Sequence, residues 1–183
     1  EAMKAGYHIE NVYHSRDIGA EAMSRISSLS SPSPVLAVIR KPSDIYLDDL
    51  SSLEDMLSSG GLYLALDTIR DPGNLGTILR IADWFGIDAV FAAKDTVDVF
   101  NPKVVQATMG AILRVKVHYV DNLANLLLSA RAKGMPIYGT LLTGKNIYTT
   151  NIENSGIIVM GNEGRGVSDE CRNMLTHKLL IPP

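Results

Sequence analysis

The sequence has little of the features that mark secreted or membrane proteins. Its 183 residues include one cysteine, Cys171, so no disulfide can form within the chain, and a reducing compartment is favoured. No apolar run approaches the roughly 20 residues that a membrane-spanning helix requires. The first ten residues lack the apolar centre of a signal peptide. We therefore expect a cytoplasmic protein with no membrane partner.

The chain also lacks an excess of positive charge. Its 17 lysines and arginines are outnumbered by 20 aspartates and glutamates, which gives a net charge of −3. A basic field over the whole surface, as in many nucleic-acid-binding proteins, is thereby excluded, so any contact with RNA must be local. The hydrophobic content of 46% is that of a globular protein, and the length allows one domain with a smaller partner.

Metal-binding and hydrolase signatures are absent as well. The four histidines and Cys171 do not occur at the spacings that metal clusters require, and we predict no metal site. No Ser-His-Asp order is recognisable. Each of the four histidines, and Cys171, is expected to be structural or exposed.

The stretch 62–86 predicts a strand, a turn and a helix. Strand-forming apolar residues at 62–66 are followed by turn residues at 70–74, and apolar residues then recur at helical spacing until Gly86, a predicted C-cap. Ligands of open α/β sheets bind beyond the carboxyl ends of the strands. We therefore place Asn74 and Arg80 in or near a binding site.

A second stretch repeats this pattern near the end of the chain. An apolar strand at 157–160 runs into the glycine loop 161–166, and a helix is predicted from Val167. The loop sequence is neither the dinucleotide fingerprint nor the P-loop. One interpretation is a tight turn that needs glycine, and the other is a binding loop that presents Glu163 and Arg165.

Strands and helices alternate along the remaining sequence. This alternation predicts an α/β fold, a mostly parallel sheet with helices on both faces. We assign residues 1–42 to part of a small α/β domain, 43–60 to a linker and 61–183 to the main domain. Further strands are predicted at 6–15, 35–39, 89–93, 114–120, 135–142 and 178–181, further helices at 19–29, 101–109 and 121–133, and a polar loop at 143–156.

Four motifs resemble those of a known family. DPGNLGTILRIADWFGI (71–87), NPKVVQATMGAILRVKV (101–117), IIVMGNEGRGVS (157–168) and LLIPP (179–183) are similar in order and spacing to the SpoU (TrmH-like) RNA methyltransferases of the SPOUT class. Residues 1–42 resemble part of the ribosomal-protein-like RNA-binding domain that precedes the catalytic domain in many members.

The resemblance implies a fold, an activity and a set of site residues. Members have a trefoil-knotted sheet, bind S-adenosylmethionine in the knot, work as homodimers and methylate a ribose 2′-hydroxyl of rRNA or tRNA. By this resemblance Asn74, Arg80 and Glu163 form the polar catalytic set. The cofactor pocket comprises the residues Thr140, Leu141, Met160, Gly161 and Ile181.

The sequence departs from the family pattern at three places. Gln106 and Thr108 stand where members often have arginine and serine; the threonine keeps a hydroxyl, whereas the glutamine removes a possible phosphate contact. Members continue after the Ile-Pro dipeptide into a serine-leucine-asparagine motif and a helix that closes the knot. We expect this segment, and the first half of the small domain, to be missing from the chain.

Two questions stay open at the level of sequence. Arg80 has either the role of general base or that of a cation that stabilises developing negative charge, and a guanidinium is effectively always protonated. The alternatives to a ribose methyltransferase are a non-catalytic RNA-binding scaffold and a SPOUT enzyme that methylates a base nitrogen.

Overall fold

The computed structural model describes residues 2–4, 6–47, 55–57 and 60–182, which divide into two compact units. The first ends at Ser43 and the second begins at Asp44. Half of the predicted linker lies outside the described residues. Of its described part, Ser43–Ile45 forms a 3-10 turn and Tyr46–Leu47 forms strand β3 of the second unit. The assignment of domains otherwise stays a prediction. Within the described residues no helix is long and apolar enough to cross a membrane.

The first unit consists of two strands and two short helices. Strands β1 and β2 pair antiparallel, with His14 opposite Val35, and Gly19 separates the helices at a φ of 85°. Its elements are β1 (Ile9–His14), α1 (Ser15–Ile18), α2 (Ala20–Ile26) and β2 (Val35–Ile39).

The second unit is built on a seven-stranded sheet in the order β3-β6-β5-β4-β8-β7-β9, and every strand pair described in it is parallel. This confirms the predicted parallel sheet. Its further elements are β4 (Leu62–Asp67), α3 (Pro72–Phe85), β5 (Ala89–Ala93), α4 (Pro102–Thr108), β6 (Val117–Val120), α5 (Leu123–Ala132), β7 (Ile137–Asn146), β8 (Gly156–Gly161), α6 (Asp169–Arg172) and β9 (His177–Leu180), with 3-10 turns at Ala111–Leu113 and Ile147–Thr149.

Helices cover both faces of this sheet, as predicted, because successive strand residues point to opposite sides. Tyr63 and Ala65 of β4 belong to one buried cluster, which includes the buried apolar residues of α5 and Cys171 of α6. Leu64 and Leu66 belong to another cluster, which includes the buried apolar residues of α3 and Val104 of α4. The sheet is therefore buried on both sides, which explains its near-continuous apolar strands.

The predicted end of helix α3 at Gly86 is confirmed, but the helix begins at Pro72, so residues 72–74 belong to its first turn and not to the predicted loop. Asp71 caps its start by accepting a hydrogen bond from the backbone N of Asn74 at 2.8 Å, and Pro72 occupies the first helical position. Gly86 ends the helix in the left-handed conformation, at a φ of 65°. These local signals fix where α3 begins beyond the carboxyl end of β4.

Further predicted boundaries were also wrong. The strand predicted at 114–120 begins at Val117, because the backbone N of Val115 donates to the carbonyl of Ala111 and continues the preceding turn. The loop predicted at 143–156 starts as strand, because β7 extends to Asn146. The late residues of β7 pair with Leu179 and Leu180 of β9, a distant partner that local sequence does not reveal.

Candidate active site

Strands β4 and β8 form the point where the strand order of the sheet reverses. From β4 the chain proceeds to β5 and β6 on one side, and it returns through β7, β8 and β9 on the other. Asp67 and Gly161, the last residues of β4 and β8, lie opposite each other in parallel register. Ligands of open parallel sheets bind at such a switch point. The structure thus brings the two predicted turns together at one edge.

Side chains fasten the two turns to each other. The buried carboxylate of Asp67 accepts a hydrogen bond from the backbone N of Ser168 at 2.7 Å. The side-chain Nδ2 of Asn162 donates to the carbonyl of Thr68 at 2.9 Å, and Thr68 has a positive φ of 63°. Sequence reasoning missed Asp67 and Asn162. A signal was present, since Asp67 is a charged residue directly after a buried apolar strand.

The glycine loop is a tight turn that Asn162 closes from within. Its Oδ1 accepts hydrogen bonds from the backbone N of Gly164 and of Arg165, at 3.0 and 3.2 Å. Its backbone also exchanges two hydrogen bonds with Gly166, which has a φ of 72°. The side chains of Glu163 and Arg165 are exposed on this turn. The loop is therefore a tight turn, and it also presents the charged side chains of Glu163 and Arg165 to solvent, so the structure is compatible with both interpretations of the sequence.

Gly161 is required by the backbone of the loop. A Cβ atom at this position would lie 2.2 Å from the carbonyl carbon of Gly166 and 2.3 Å from the backbone N of Val167. Real Cβ atoms do not approach backbone this closely. Glycine is thus needed here whether or not a ligand approaches the strand.

The residues predicted for the cofactor pocket come from neighbouring strands. Thr140 and Leu141 lie on β7, Met160 and Gly161 end β8, and Ile181 directly follows β9. Because β8, β7 and β9 are adjacent in the sheet, these residues gather at its carboxyl edge, next to Asp67.

A bulge widens this edge between β7 and β9. Leu179 pairs with both Thr140 and Lys145, so residues 141–144 of β7 have no counterpart on β9. The hydroxyl of Thr140 donates to the carbonyl of Val159 at 3.1 Å and is therefore used within the sheet. The backbone of the bulge and the half-buried Leu141 remain to line a pocket.

Of the predicted catalytic residues, Asn74 lies at this edge and Arg80 does not. Asn74 is in the first turn of α3, with an exposed side chain. Arg80 follows six positions later, which in an α-helix corresponds to about 9 Å along the axis and about 120° around it. A single chain therefore presents the two side chains on different faces of α3.

Arg80 lines a cavity of about 410 Å³ that is bordered by α3 and by residues 108–114. Its guanidinium makes no hydrogen bond or ion pair with any residue that the structure describes. Thr108, one of the departures from the family pattern, lines the same cavity, but its hydroxyl donates to the carbonyl of Val105 at 2.7 Å. The remaining lining residues are Thr77, Ile81, Asp83, Trp84, Phe85, Met109, Ala111 and Arg114.

An ion pair between α3 and the segment after α4 borders this cavity. Arg114 donates to both carboxylate oxygens of Asp83, and its Nη2 lies 2.7 Å from Oδ2. These hydrogen bonds hold the pKa of Asp83 below its usual value. The carboxylate of Asp83 is therefore ionised at neutral pH, and both of its oxygens accept hydrogen bonds from Arg114.

Potential metal ligands do not converge anywhere in the described part of the chain. No group of three or more histidine, cysteine or acidic side chains that could hold a metal ion occurs there. The Nδ1 of His118 is used within the fold, since it donates to the carbonyl of Asp44 at 2.8 Å. Burial raises the pKa of the Cys171 thiol to about 11, which makes a reactive thiolate scarce at neutral pH.

Known proteins are similar to this chain in sequence and in fold. The chain is 29% identical over 166 residues to the 23S rRNA (guanosine(2553)-2′-O)-methyltransferase RlmP of Bacillus subtilis, an alignment covering 90% of this chain and 62% of that protein. A solved structure of a TrmH-family protein from Porphyromonas gingivalis is 41% identical, with a TM-score of 0.77 and coverage of 88% of this chain and 61% of the other. The chain thus spans about three fifths of each of these relatives.

A third likeness extends over the whole chain. The AdoMet-bound rRNA methyltransferase of Sinorhizobium meliloti has a TM-score of 0.79 at 26% identity, and the match covers 100% of this chain and 74% of that protein. The sequence profile of the SpoU rRNA methylase family matches residues 61–183, the part that contains the switch point, the glycine loop and Arg80. From the order of its motifs, its parallel sheet and this match, the chain belongs to the SpoU rRNA methylase family.

Proposed function

We propose that this protein is an S-adenosylmethionine-dependent RNA methyltransferase that acts on a ribose 2′-hydroxyl of rRNA or tRNA. The observation that carries the proposal is the family match over 61–183, which contains the predicted catalytic and cofactor residues. A relative that aligns with 90% of the chain is named for guanosine 2′-O-methylation of 23S rRNA, which favours rRNA. Residues 1–42 would assist RNA binding, as the resemblance implies.

The carboxyl edge of β7, β8 and β9 fits S-adenosylmethionine. An adenosine site needs apolar surface together with a few backbone donors and acceptors. Leu141 and Met160 offer half-buried apolar surface, and the bulge at 141–144 offers backbone groups that β9 leaves without a counterpart. When bound, the cofactor supplies the methyl group of its sulfonium.

The chain's own residues would orient the ribose and stabilise negative charge. A 2′-hydroxyl is a weak nucleophile at neutral pH, so positioning and charge stabilisation carry most of the catalysis. Since a guanidinium stays protonated, we assign Arg80 the role of a cation that binds a neighbouring phosphate and the developing alkoxide. Asn74 would orient the nucleotide at the edge. Glu163 is left to hold Arg80 or substrate, because Asn162 already occupies two amides of the turn.

The working unit that we propose is a homodimer. One chain leaves Arg80 away from the cofactor edge, so the site needs a second copy to bring the two together. The surface around Arg80 is apolar and exposed, with Trp84, Phe85 and Met109 exposed by 85%, 70% and 75%. Such clusters on soluble proteins mark interaction surfaces. A second copy would cover this surface and carry Arg80 to its partner's edge.

Trp84→Glu should convert the dimer into a monomer, because it places a charge in the centre of the proposed interface. Light scattering at micromolar concentration measures the mass. Leu128→Glu is the matched control, since Leu128 is 52% exposed on α5, which packs against the other face of the sheet. A monomeric wild type, or a Trp84→Glu variant that stays dimeric, would refute the interface.

The ribose assignment is tested with the full protein, labelled S-adenosylmethionine and ribosomal RNA from cells that lack the gene. We expect label in a 2′-O-methylnucleoside after digestion. An RNA with a single 2′-deoxy nucleotide at the modified position should accept no methyl group. Transfer that persists on the deoxy substrate would identify a base methyltransferase. Calorimetry without any S-adenosylmethionine binding would instead favour the scaffold.

A further inference from the structure

Arg80 and Asp83 are natural partners for an ion pair within α3. They stand three positions apart, and side chains at this spacing are neighbours on the helix surface. Both also line the same cavity. An arginine beside an aspartate in this arrangement would ordinarily be neutralised by it.

The structure shows a different pairing. Arg114 donates from Nε to both oxygens of Asp83, at 3.0 and 3.1 Å, and from Nη2 to Oδ2 at 2.7 Å. Two nitrogens of one guanidinium thus grip one carboxylate, the geometry of a strong bidentate pair. The side chain of Asp83 is only 26% exposed, which limits competition from water.

From this geometry we propose that Arg114 is a positioning residue that occupies Asp83 and so keeps the guanidinium of Arg80 available for an anionic group of the substrate. The inference rests on the proposed function, in which Arg80 binds phosphate and the developing alkoxide. Arg114 need not touch RNA to act in this way. The clamp, meaning the Asp83–Arg114 pair, acts through Arg80.

The balance of charge supports this role. Asp83, Arg80 and Arg114 together give the cavity one net positive charge, and that charge resides on Arg80, which has no partner among the described residues. Without Arg114 the carboxylate would remain next to Arg80, and the pair would be neutral. An anionic substrate would then have to displace an intramolecular carboxylate before it could reach the guanidinium.

The test compares four proteins in a methyl-transfer assay with S-adenosylmethionine and ribosomal RNA from cells that lack the gene. Arg114→Gln should lower kcat/KM about tenfold, a typical coupling for charges in one network. Asp83→Asn/Arg114→Gln should recover most of this loss, because the competing carboxylate is gone. Lys116→Gln is the matched control, since it removes an exposed positive charge two positions from Arg114 without touching Asp83.

The double variant and the Lys116→Gln control distinguish the proposed role of Arg114 from three other roles. If the clamp only holds the segment after α4 against the helix, the double variant will be at least as impaired as Arg114→Gln, and the proposal fails. If Arg114 itself binds RNA, the double variant will also stay impaired, and the proposal fails. A loss for Lys116→Gln as large as that for Arg114→Gln would show a general charge effect and overturn the inference as well.

A second measurement separates this inference from the proposed function. NMR of the arginine Nε–H groups reports whether Arg80 is paired, in the full protein and without RNA. Arg114→Gln should shift the Arg80 signal and slow its exchange with water, and the double variant should reverse both changes. An unchanged Arg80 signal in Arg114→Gln refutes the clamp even if methylation is confirmed. A changed signal without any methylation would instead refute the proposed function.

Discussion

Replacement of Arg80 by alanine is expected to reduce methyl transfer by about 10²–10³, equivalent to about 3–4 kcal/mol of transition-state stabilisation. The reason is that the guanidinium has no partner among the described residues and is therefore available to the substrate. Binding of S-adenosylmethionine, measured by calorimetry, should remain at the wild-type level, because the residues assigned to the cofactor pocket do not include Arg80. Single-turnover assays with labelled cofactor give the rate of the chemical step.

Arg80→Lys distinguishes between two functions of the side chain. A cation that only neutralises a phosphate should tolerate lysine in part, whereas bidentate orientation by a guanidinium should not. The variant Lys116→Gln serves as a control for the loss of one positive charge. Full activity of Arg80→Ala would remove Arg80 from the catalytic set. Loss of cofactor binding in Arg80→Ala would show instead that the side chain supports the pocket.

Gly161→Ala is expected to have the second large effect. The new methyl group would lie 2.2 Å from the backbone of Gly166, so the loop must move. Overpacking of this kind costs about 1–3 kcal/mol or more, and cofactor binding should weaken by roughly 10- to 100-fold if the loop forms the pocket. Calorimetry with S-adenosylmethionine measures the affinity, and urea denaturation measures the free energy of unfolding.

Gly164→Ala provides the matched control within the same loop. A Cβ at Gly164 would meet its nearest neighbour, Oδ1 of Asn162, at 3.6 Å, which is ordinary contact. We expect wild-type affinity and stability for this variant. Equal affinity of Gly161→Ala and Gly164→Ala would place the cofactor pocket elsewhere on the sheet edge. Weak cofactor binding by both variants would mean that the ligand itself needs glycine in this loop, and that the close contact between position 161 and the backbone of Gly166 is not the cause.

Local signals in the sequence predicted most of the secondary structure correctly. Gly86 ends α3 as predicted, because a C-cap depends on dihedral angles within a few positions. The start of α3 was placed too late, since Asp71 and Pro72 are typical both of turns and of a helix N-terminus. The continuous apolar strands indicated a sheet covered on both faces, because successive strand residues point to opposite faces and each must be apolar if both faces are buried. The family motifs further identified the residues worth testing.

What the sequence by itself determined is thus most of the elements, the parallel sheet and the family. Only the tertiary structure decided that Asn162 donates to the carbonyl of Thr68, 94 positions away, and that Asp83 pairs with Arg114 and not with Arg80. It likewise decided that Arg80 faces outward instead of joining Asn74. The physical reason is that these contacts depend on which strands become neighbours and on how α3 is rotated against the sheet, and both are set by the packing of the whole core.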